Sequence, residues 1–153
     1  MDMVIAKDVA TDEGAKASTQ NNKNVRQLTA LVTGGMGGIG TAICSRLGRN
    51  GVRVVAGCLP GYDKKDEWLG QMREQGIVAH AAEGLVDDYG ACVEMVAKVQ
   101  AEVGHIDILV NNAGITRDSF LKKMSPEQWY AVINTNLNSV FNVTRQVVDG
   151  MAE

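Results

Sequence analysis

The chain contains 153 residues, of which 45% are hydrophobic and 22% are charged, and its formal net charge is −3 at pH 7. This composition is typical of one globular domain, and the slight acidity excludes the strongly basic surfaces that bind nucleic acids or anionic membranes. The three cysteines lie far apart and match neither a disulfide framework nor a metal site, which favours the reducing cytoplasm. We expect no membrane-spanning segment, because no apolar run is long enough.

Residues 1–27 are polar and lack a sustained period, so we predict a disordered leader before a folded part at residues 28–153. The folded part begins with the apolar run Leu28–Val32, which is typical of a strand covered on both faces. Five glycines lie within the next eight residues, and a helix is predicted from Gly38 to Asn50. Glycine lets the backbone approach a ligand, and a helix N-terminus favours phosphate. The segment therefore predicts a pyrophosphate site.

The spacing of these glycines is T-G-x-x-x-G-x-G from Thr33 to Gly40. It differs from the common dinucleotide pattern G-x-G-x-x-G, and no Gly-Lys-Ser/Thr follows as in a Walker loop. A glycine-rich turn that binds no ligand is the alternative interpretation of this segment.

The second predicted strand, Val52–Gly57, ends without the acidic residue that would bond the ribose hydroxyls of NAD. The residues that follow are Cys58-Leu59-Pro60-Gly61, and the first acid is Asp63. NADP is therefore allowed, since no carboxylate would repel its 2′-phosphate. Lys64 and Lys65 either reach that phosphate or form a solvated helix start.

The remaining periodic segments predict a helix, a strand, a helix, a strand and a long helix at residues 63–75, 77–82, 88–103, 106–110 and 126–150. Strands alternating with helices indicate right-handed crossovers and a parallel sheet. The glycine turn and the loop Asn111–Gly114 would both follow the carboxyl ends of strands, so we expect them to face one crevice.

The long helix has a strong predicted start, because Ser125 is a good N-cap, Pro126 suits the first position and Gln128 completes a capping box. Its apolar stripe comprises Trp129, Val132, Ile133, Leu137, Val140, Val147 and Met151. Asn136 falls within this stripe. It is either a core amide bonded to nearby backbone, or an amide that holds a water or a backbone group beside an active site.

The glycine turn, the missing acid after the second strand, the Asn111–Gly114 loop and Asn136 together resemble the short-chain dehydrogenase/reductase family. The likeness runs from about Leu28 to the last residue and implies a Rossmann-like, doubly wound parallel sheet. Within the family, the segments Gly34–Gly40, Val54–Cys58, Gly114–Asp118 and Phe141–Met151 are similar to the acetoacetyl-CoA reductases of polyhydroxybutyrate synthesis. The 3-oxoacyl-carrier-protein reductases are near neighbours. This implies NADPH-dependent reduction of a 3-oxoacyl thioester, acetoacetyl-CoA.

The resemblance also implies roles for individual residues. Asn136 would be the catalytic-tetrad Asn, which fixes a water in a proton relay, and Thr33 would tie the first turn to the neighbouring loop. Leu85 replaces the usual Asp or Asn that contacts adenine, which leaves the backbone of Val86 as that contact. The residues expected to contact NADP(H) are Thr33, Gly34, Gly35, Met36, Gly37, Gly38, Ile39, Gly40, Cys58, Val86, Asn112, Ala113 and Gly114.

The family's catalytic Ser and its Tyr-x-x-x-Lys pair lie beyond the long helix, and no tyrosine of this chain has Lys four residues on. We therefore expect a sheet truncated after the fourth strand and the long helix that follows it. We expect the 153-residue chain alone to be inactive. The intact enzyme would be a homotetramer with helix 126–150 in its interface. A short nucleotide-binding module without catalysis is a second interpretation, and a structural subunit whose glycine turn binds nothing is a third.

Overall fold

A computed structural model describes residues 26–153, so the predicted leader at residues 1–27 lies outside the described residues except for its last two. Its strands are β1 (Thr29–Val32), β2 (Arg53–Cys58), β3 (Ala79–Glu83) and β4 (Ile108–Val110). Its α-helices are α1 (Gly38–Arg49), α2 (Lys65–Glu74), α3 (Tyr89–Glu102), α4 (Pro126–Ile133) and α5 (Ser139–Met151). A short 3-10 helix at Leu121–Lys123 precedes α4, and a π-helical segment at Asn134–Asn138 joins α4 to α5.

The four strands form one parallel sheet in the order β3-β2-β1-β4. Leu31 lies at its centre and is paired with Val55 of β2 and Leu109 of β4. The chain moves outward from β1 through β2 to β3 and then returns to the other side of β1, so the strand order reverses between β1 and β4. The predicted Rossmann-like, doubly wound α/β sheet is confirmed. Such a reversal opens a crevice at the carboxyl ends of the strands.

Helices cover both faces of this sheet. Because neighbouring residues of a strand point to opposite faces, Leu31 packs in one core and Ala30 and Val32 pack in the other. The first core also contains buried residues of α3 and α5, such as Val96 and Val147. The second contains Cys44 of α1 with Trp68 and Met72 of α2. Burial on both faces explains the continuous apolar character of β1.

The last two residues of the predicted leader are anchored to the sheet. The guanidinium of Arg26 donates to the carboxylate of Asp107, and Gln27 Nε2 donates to the carbonyl oxygen of Gly51 at 3.0 Å. The Asp107 carboxylate also accepts from the backbone N–H of Thr29 at 2.8 Å. Arg26 and Gln27 are exposed and bond to residues at the amino ends of the strands, and the predicted disordered leader stays a prediction.

The structure confirms the predicted helices and strands through β4, with boundaries that move by one or two residues. The long helix differs more, because π-helical geometry at Asn134–Asn138 divides it. The capping box is confirmed: Ser125 Oγ accepts from the Gln128 N–H, and the Gln128 side chain accepts from the Ser125 N–H.

The predicted apolar stripe is only partly buried. Val147 is buried beside Val143, whereas Trp129, Leu137 and Val140 are exposed, Leu137 by 62%. A π-helical turn shifts the rotation of the residues after it, so a stripe counted at 3.6 residues per turn does not stay on one face. Among residues 26–153, no helix combines the length and apolar character that crossing a membrane requires.

Candidate functional site

The turn between β1 and α1 folds back onto the sheet through its glycines. Gly34 has a φ of +61°, and the N–H of Gly35 donates to the carbonyl of Gly57 in β2 at 3.0 Å. The N–H of Gly37 donates to the carbonyl of Gly34 at 3.1 Å. Helix α1 then begins at Gly38 without a side-chain cap. Its first N–H groups and its positive dipole end therefore favour an anion at this turn.

The glycines of the turn fall into two groups. A Cβ at Gly40 would lie 2.2 Å from the carbonyl oxygen of Gly34, and one at Gly35 would lie 2.8 Å from Cα of Ala56. Glycine at these two positions is required by the protein's own packing. A Cβ at Gly38 would meet no atom within 4 Å, so the described fold does not require glycine there. A phosphorylated ligand lying against the turn would require it.

Thr33 joins the turn to the loop after β4. Its side chain is buried, and its Oγ1 accepts from the backbone N–H groups of Asn112 at 2.9 Å and Ala113 at 3.0 Å. In return, Asn112 Nδ2 donates to the carbonyl oxygens of Thr33 at 2.9 Å and Gly34 at 3.1 Å. The two loops are therefore held as one unit, in the contact that the family resemblance implies for Thr33.

An open cleft of about 530 Å³ lies at the carboxyl ends of β1, β2 and β4. Small-molecule sites typically have volumes of about 300–1,000 Å³. Ten of the thirteen predicted cofactor residues line it, while Thr33 and Gly35 are buried beside it and Val86 does not line it. The lining residues are Gly34, Met36, Gly37, Gly38, Ile39, Gly40, Gly57, Cys58, Leu59, Tyr62, Asn112, Ala113 and Gly114.

The end of β2 carries no carboxylate, but a carboxylate reaches it from β3. Glu83 Oε2 accepts from the N–H of Gly61 at 3.1 Å, and Glu83 Oε1 accepts from Lys65 Nζ at 2.5 Å. The hydrogen bond from Lys65 lowers the pKa of Glu83, and Glu83 in turn raises the pKa of Lys65. The structure thus places Lys65 in an ion pair. Sequence reasoning missed Glu83, although its place at the end of the neighbouring strand is a usable signal.

Cys58 lines the cleft beside this ion pair. Burial raises the pKa of its thiol, and the Glu83 charge raises it further while the Lys65 charge lowers it. The thiol is therefore protonated at neutral pH and presents a small, neutral surface to the cleft.

Asn136 holds the loop that follows Gly114. Its Oδ1 accepts from the N–H of Ile115 at 2.8 Å, and its Nδ2 donates to the carbonyl of Ile115 at 3.0 Å. The side chain is exposed, so of the two interpretations the core amide does not describe it. The π-helical segment centres on this residue, and such segments often mark functional sites. Asn136 thus fixes backbone at one end of the cleft.

Two further polar contacts support the site from α5. Buried Asn142 donates from Nδ2 to the carbonyl of Val86 at 3.0 Å, and Asn111 Nδ2 donates to Thr144 Oγ1 at 3.0 Å. The carbonyl of Val86 is therefore already bonded within the protein, and its predicted adenine contact stays a prediction. Sequence reasoning missed Asn142, because this residue lies outside the predicted apolar stripe although it is buried in the structure.

These features define a class of protein. A family model described as short chain dehydrogenase matches residues 28–153. The chain therefore belongs to the short-chain dehydrogenase family, and the resemblance found in its motifs is confirmed.

Individual relatives narrow the comparison. The chain is 56% identical over 127 residues to nodulation protein G of Azospirillum brasilense and 54% identical over 127 residues to acetoacetyl-CoA reductase of Cupriavidus necator. Each match covers 83% of this chain and 52% of the relative. A crystal structure of an actinorhodin polyketide ketoreductase variant with NADPH is similar, with a TM-score of 0.77 at 36% identity. That match covers 82% of this chain and 48% of the other.

The chain thus spans about half the length of the curated relatives it matches. The predicted likeness to acetoacetyl-CoA reductases is confirmed at the level of sequence similarity.

Proposed function

We propose that the cleft binds NADPH. The observation that carries this proposal is Gly38, where glycine serves no packing purpose within the described fold and yet stands at the start of α1. Gly37, Gly38 and Ile39 would hold the pyrophosphate, Cys58 would lie beside the adenosine, and Asn112–Gly114 would line the ribose. The related ketoreductase structure with NADPH supports this assignment.

The choice of NADPH over NADH rests on charge. The residues directly after β2 are Cys58-Leu59-Pro60-Gly61, so no carboxylate stands where it would repel a 2′-phosphate. The nearest carboxylate, Glu83, is paired with Lys65. Opposite charges this close cancel most of each other's field at the cleft.

The proposed reaction is the reduction of a 3-oxoacyl thioester, acetoacetyl-CoA, to the (R)-3-hydroxyacyl thioester. The acetoacetyl-CoA reductase relative supports this substrate class. NADPH would supply the hydride, and Asn136 would fix the Ile115 backbone and a water in the proton relay. Protonation of the developing alkoxide needs an acid, which the family's Tyr-x-x-x-Lys would provide. We therefore propose that the 153 residues alone bind nucleotide without turnover, and that the active form is a homotetramer with α4 and α5 in its interface.

NADPH binding by the chain, measured by fluorescence titration, tests the cofactor assignment. Gly38→Ala places a methyl group in the cleft and should weaken NADPH binding about tenfold or more, while leaving the unfolding midpoint unchanged or slightly higher. Gly70→Ala is the matched control, because Gly70 is also a helical glycine with open surroundings but lies in α2 away from the cleft. Equal NADPH affinity in both variants would contradict the proposed site.

The substrate is tested with protein purified from the cells that naturally produce it. Its intact mass shows whether the functional polypeptide exceeds 16.4 kDa. NADPH oxidation is then followed with acetoacetyl-CoA and with an acetoacetyl carrier protein. Faster turnover with the carrier-protein thioester would favour the alternative, a 3-oxoacyl-[acyl-carrier-protein] reductase. A mass of 16.4 kDa with NADPH binding and no turnover would favour a nucleotide-binding module.

A further inference from the structure

Glu83 occupies an unusual position for an acid. It is the last residue of β3 and pairs in register with Cys58, the last residue of β2. Its carboxylate accepts from the Gly61 N–H and from Lys65 Nζ, so it contacts both the loop after β2 and the first residue of α2. Gly61 has a φ of +70°, a conformation that the bond to Glu83 helps to hold. One side chain therefore fixes the path of the loop that borders the cleft.

The ion pair is close enough to influence the cleft. Both charges act on the Cys58 thiol, which lines the cleft at the end of β2. Neither Lys65 nor Glu83 lines the cleft itself. The ammonium group of Lys65 is thus directed to Glu83, although Lys65 begins the helix that follows the cleft-lining residues Leu59 and Tyr62.

We propose that Glu83 is a specificity-determining positioning residue that holds Lys65 in an ion pair and so limits affinity for a ribose 2′-phosphate. Glu83 acts through Lys65 and through its own charge, and it touches no part of the nucleotide. The inference rests on the proposed binding of NADPH in this cleft. The inference predicts that the preference for NADPH over NADH is lower with the Lys65–Glu83 ion pair intact than with the pair broken at Glu83.

The substitution Glu83→Gln isolates the charge. Glutamine keeps a carbonyl oxygen that accepts from the Gly61 N–H, so the loop retains its anchor, while Lys65 is released from its partner. We expect 2′,5′-ADP and NADPH to bind about fivefold more tightly, because the positive charge of Lys65 is no longer cancelled by Glu83 and can attract the phosphate. The affinities for 5′-AMP and NADH should stay within about twofold. The gain should shrink as salt is raised, since the interaction is between partly exposed charges.

Three variants separate this effect from its alternatives. Glu102→Gln removes the same charge from the Lys98–Glu102 pair of α3 and should leave both affinities unchanged. Lys65→Met removes the proposed phosphate ligand and should reduce NADPH affinity in the Glu83→Gln background to the level of the unsubstituted chain or below. Lys65→Met alone keeps the inference testable if Glu83→Gln does not fold. It leaves the Glu83 charge unneutralised and should lower the affinity for NADPH relative to NADH, and an unchanged ratio would overturn the inference.

The outcomes are distinct. A selective gain for 2′-phosphorylated ligands that depends on Lys65 supports the inference. Equal gains for NADPH and NADH, or weaker NADPH binding, overturn it while leaving the proposed function intact. Failure of the unsubstituted chain to bind either NADPH or NADH overturns the proposed function and the inference together.

Discussion

The glycine turn and the α4–α5 unit differ in the contacts that hold them in place. The turn depends on backbone contacts between near neighbours, such as the Gly37 N–H donating to the Gly34 carbonyl. The α4–α5 unit depends on what covers each of its faces. Its Trp129 and Leu137 are exposed, while Val143 and Val147 are buried against α3 and the sheet.

The difference teaches that local backbone geometry is encoded in short segments, whereas burial of a helix face is decided by its partners. Glycine spacing specifies where a chain can turn sharply, because side chains would collide there. Helical periodicity specifies only that a face is apolar.

Gly40→Ala should destabilise the protein most. The new Cβ would lie 2.2 Å from the Gly34 carbonyl oxygen and 2.7 Å from Gly35 Cα, and both are backbone atoms that cannot move aside cheaply. We expect a loss of about 4 kcal/mol in the free energy of unfolding, measured by urea titration. Gly38→Ala is the control at the same turn and should cost nothing. A loss of under about 1 kcal/mol for Gly40→Ala would show that the turn is not closely packed.

Thr33→Val should have the next largest effect. Valine has nearly the same shape but leaves the N–H groups of Asn112 and Ala113 without their acceptor. We expect a loss of about 2–3 kcal/mol in the free energy of unfolding, since unpaired buried donors are costly. Thr33→Ser keeps the acceptor and should recover most of that stability. If serine and valine destabilise equally, packing of the methyl group matters rather than the hydrogen bonds.

Val147→Ala and Leu137→Ala compare the two faces of the α4–α5 unit. Val147 is fully buried, so its truncation should cost about 2 kcal/mol in the free energy of unfolding. Leu137 is 62% exposed, and its truncation should change that free energy by no more than about 0.5 kcal/mol. The free energies of unfolding of both variants are compared by urea denaturation at low protein concentration. A large loss for Leu137→Ala would mean that another surface covers this face in solution.

The smallest effect concerns pH. The lowered pKa of Glu83 means that its ion pair stabilises the fold above the ordinary carboxyl pKa of 4.5, and that this contribution is lost as pH falls through the lowered value. The raised pKa of Lys65 places the other limit above pH 10.5. Urea midpoints should therefore fall less steeply below pH 4.5 in Glu83→Gln than in the unsubstituted chain. Identical slopes would show that the pair contributes nothing measurable, as is common for exposed pairs.

Ten of the thirteen predicted cofactor residues line the cleft. Strand ends and glycine spacing place the glycine turn and the Asn111–Gly114 loop at the carboxyl edge of a parallel sheet, and the family resemblance implies the individual residues. The contacts that arrive from other elements were not predicted. Glu83 of β3 bonds to Gly61 and Lys65, which follow the neighbouring strand β2. Asn142 bonds to Val86, which lies 56 residues earlier in the chain. Such partners depend on the packing of α2, α3 and α5.

The sequence by itself determined the order of helices and strands, the parallel sheet, the glycine turn and the capped start of α4. The helices, strands, turn and cap depend on the preferences of neighbouring residues, and the parallel sheet follows from the alternation of strands with helices. The tertiary structure alone decided that Lys65 is paired with Glu83, that Asn136 is exposed and holds Ile115, and that a π-helical segment divides the long helix. Those outcomes require side chains distant in sequence to meet, and only the packed fold sets where they do.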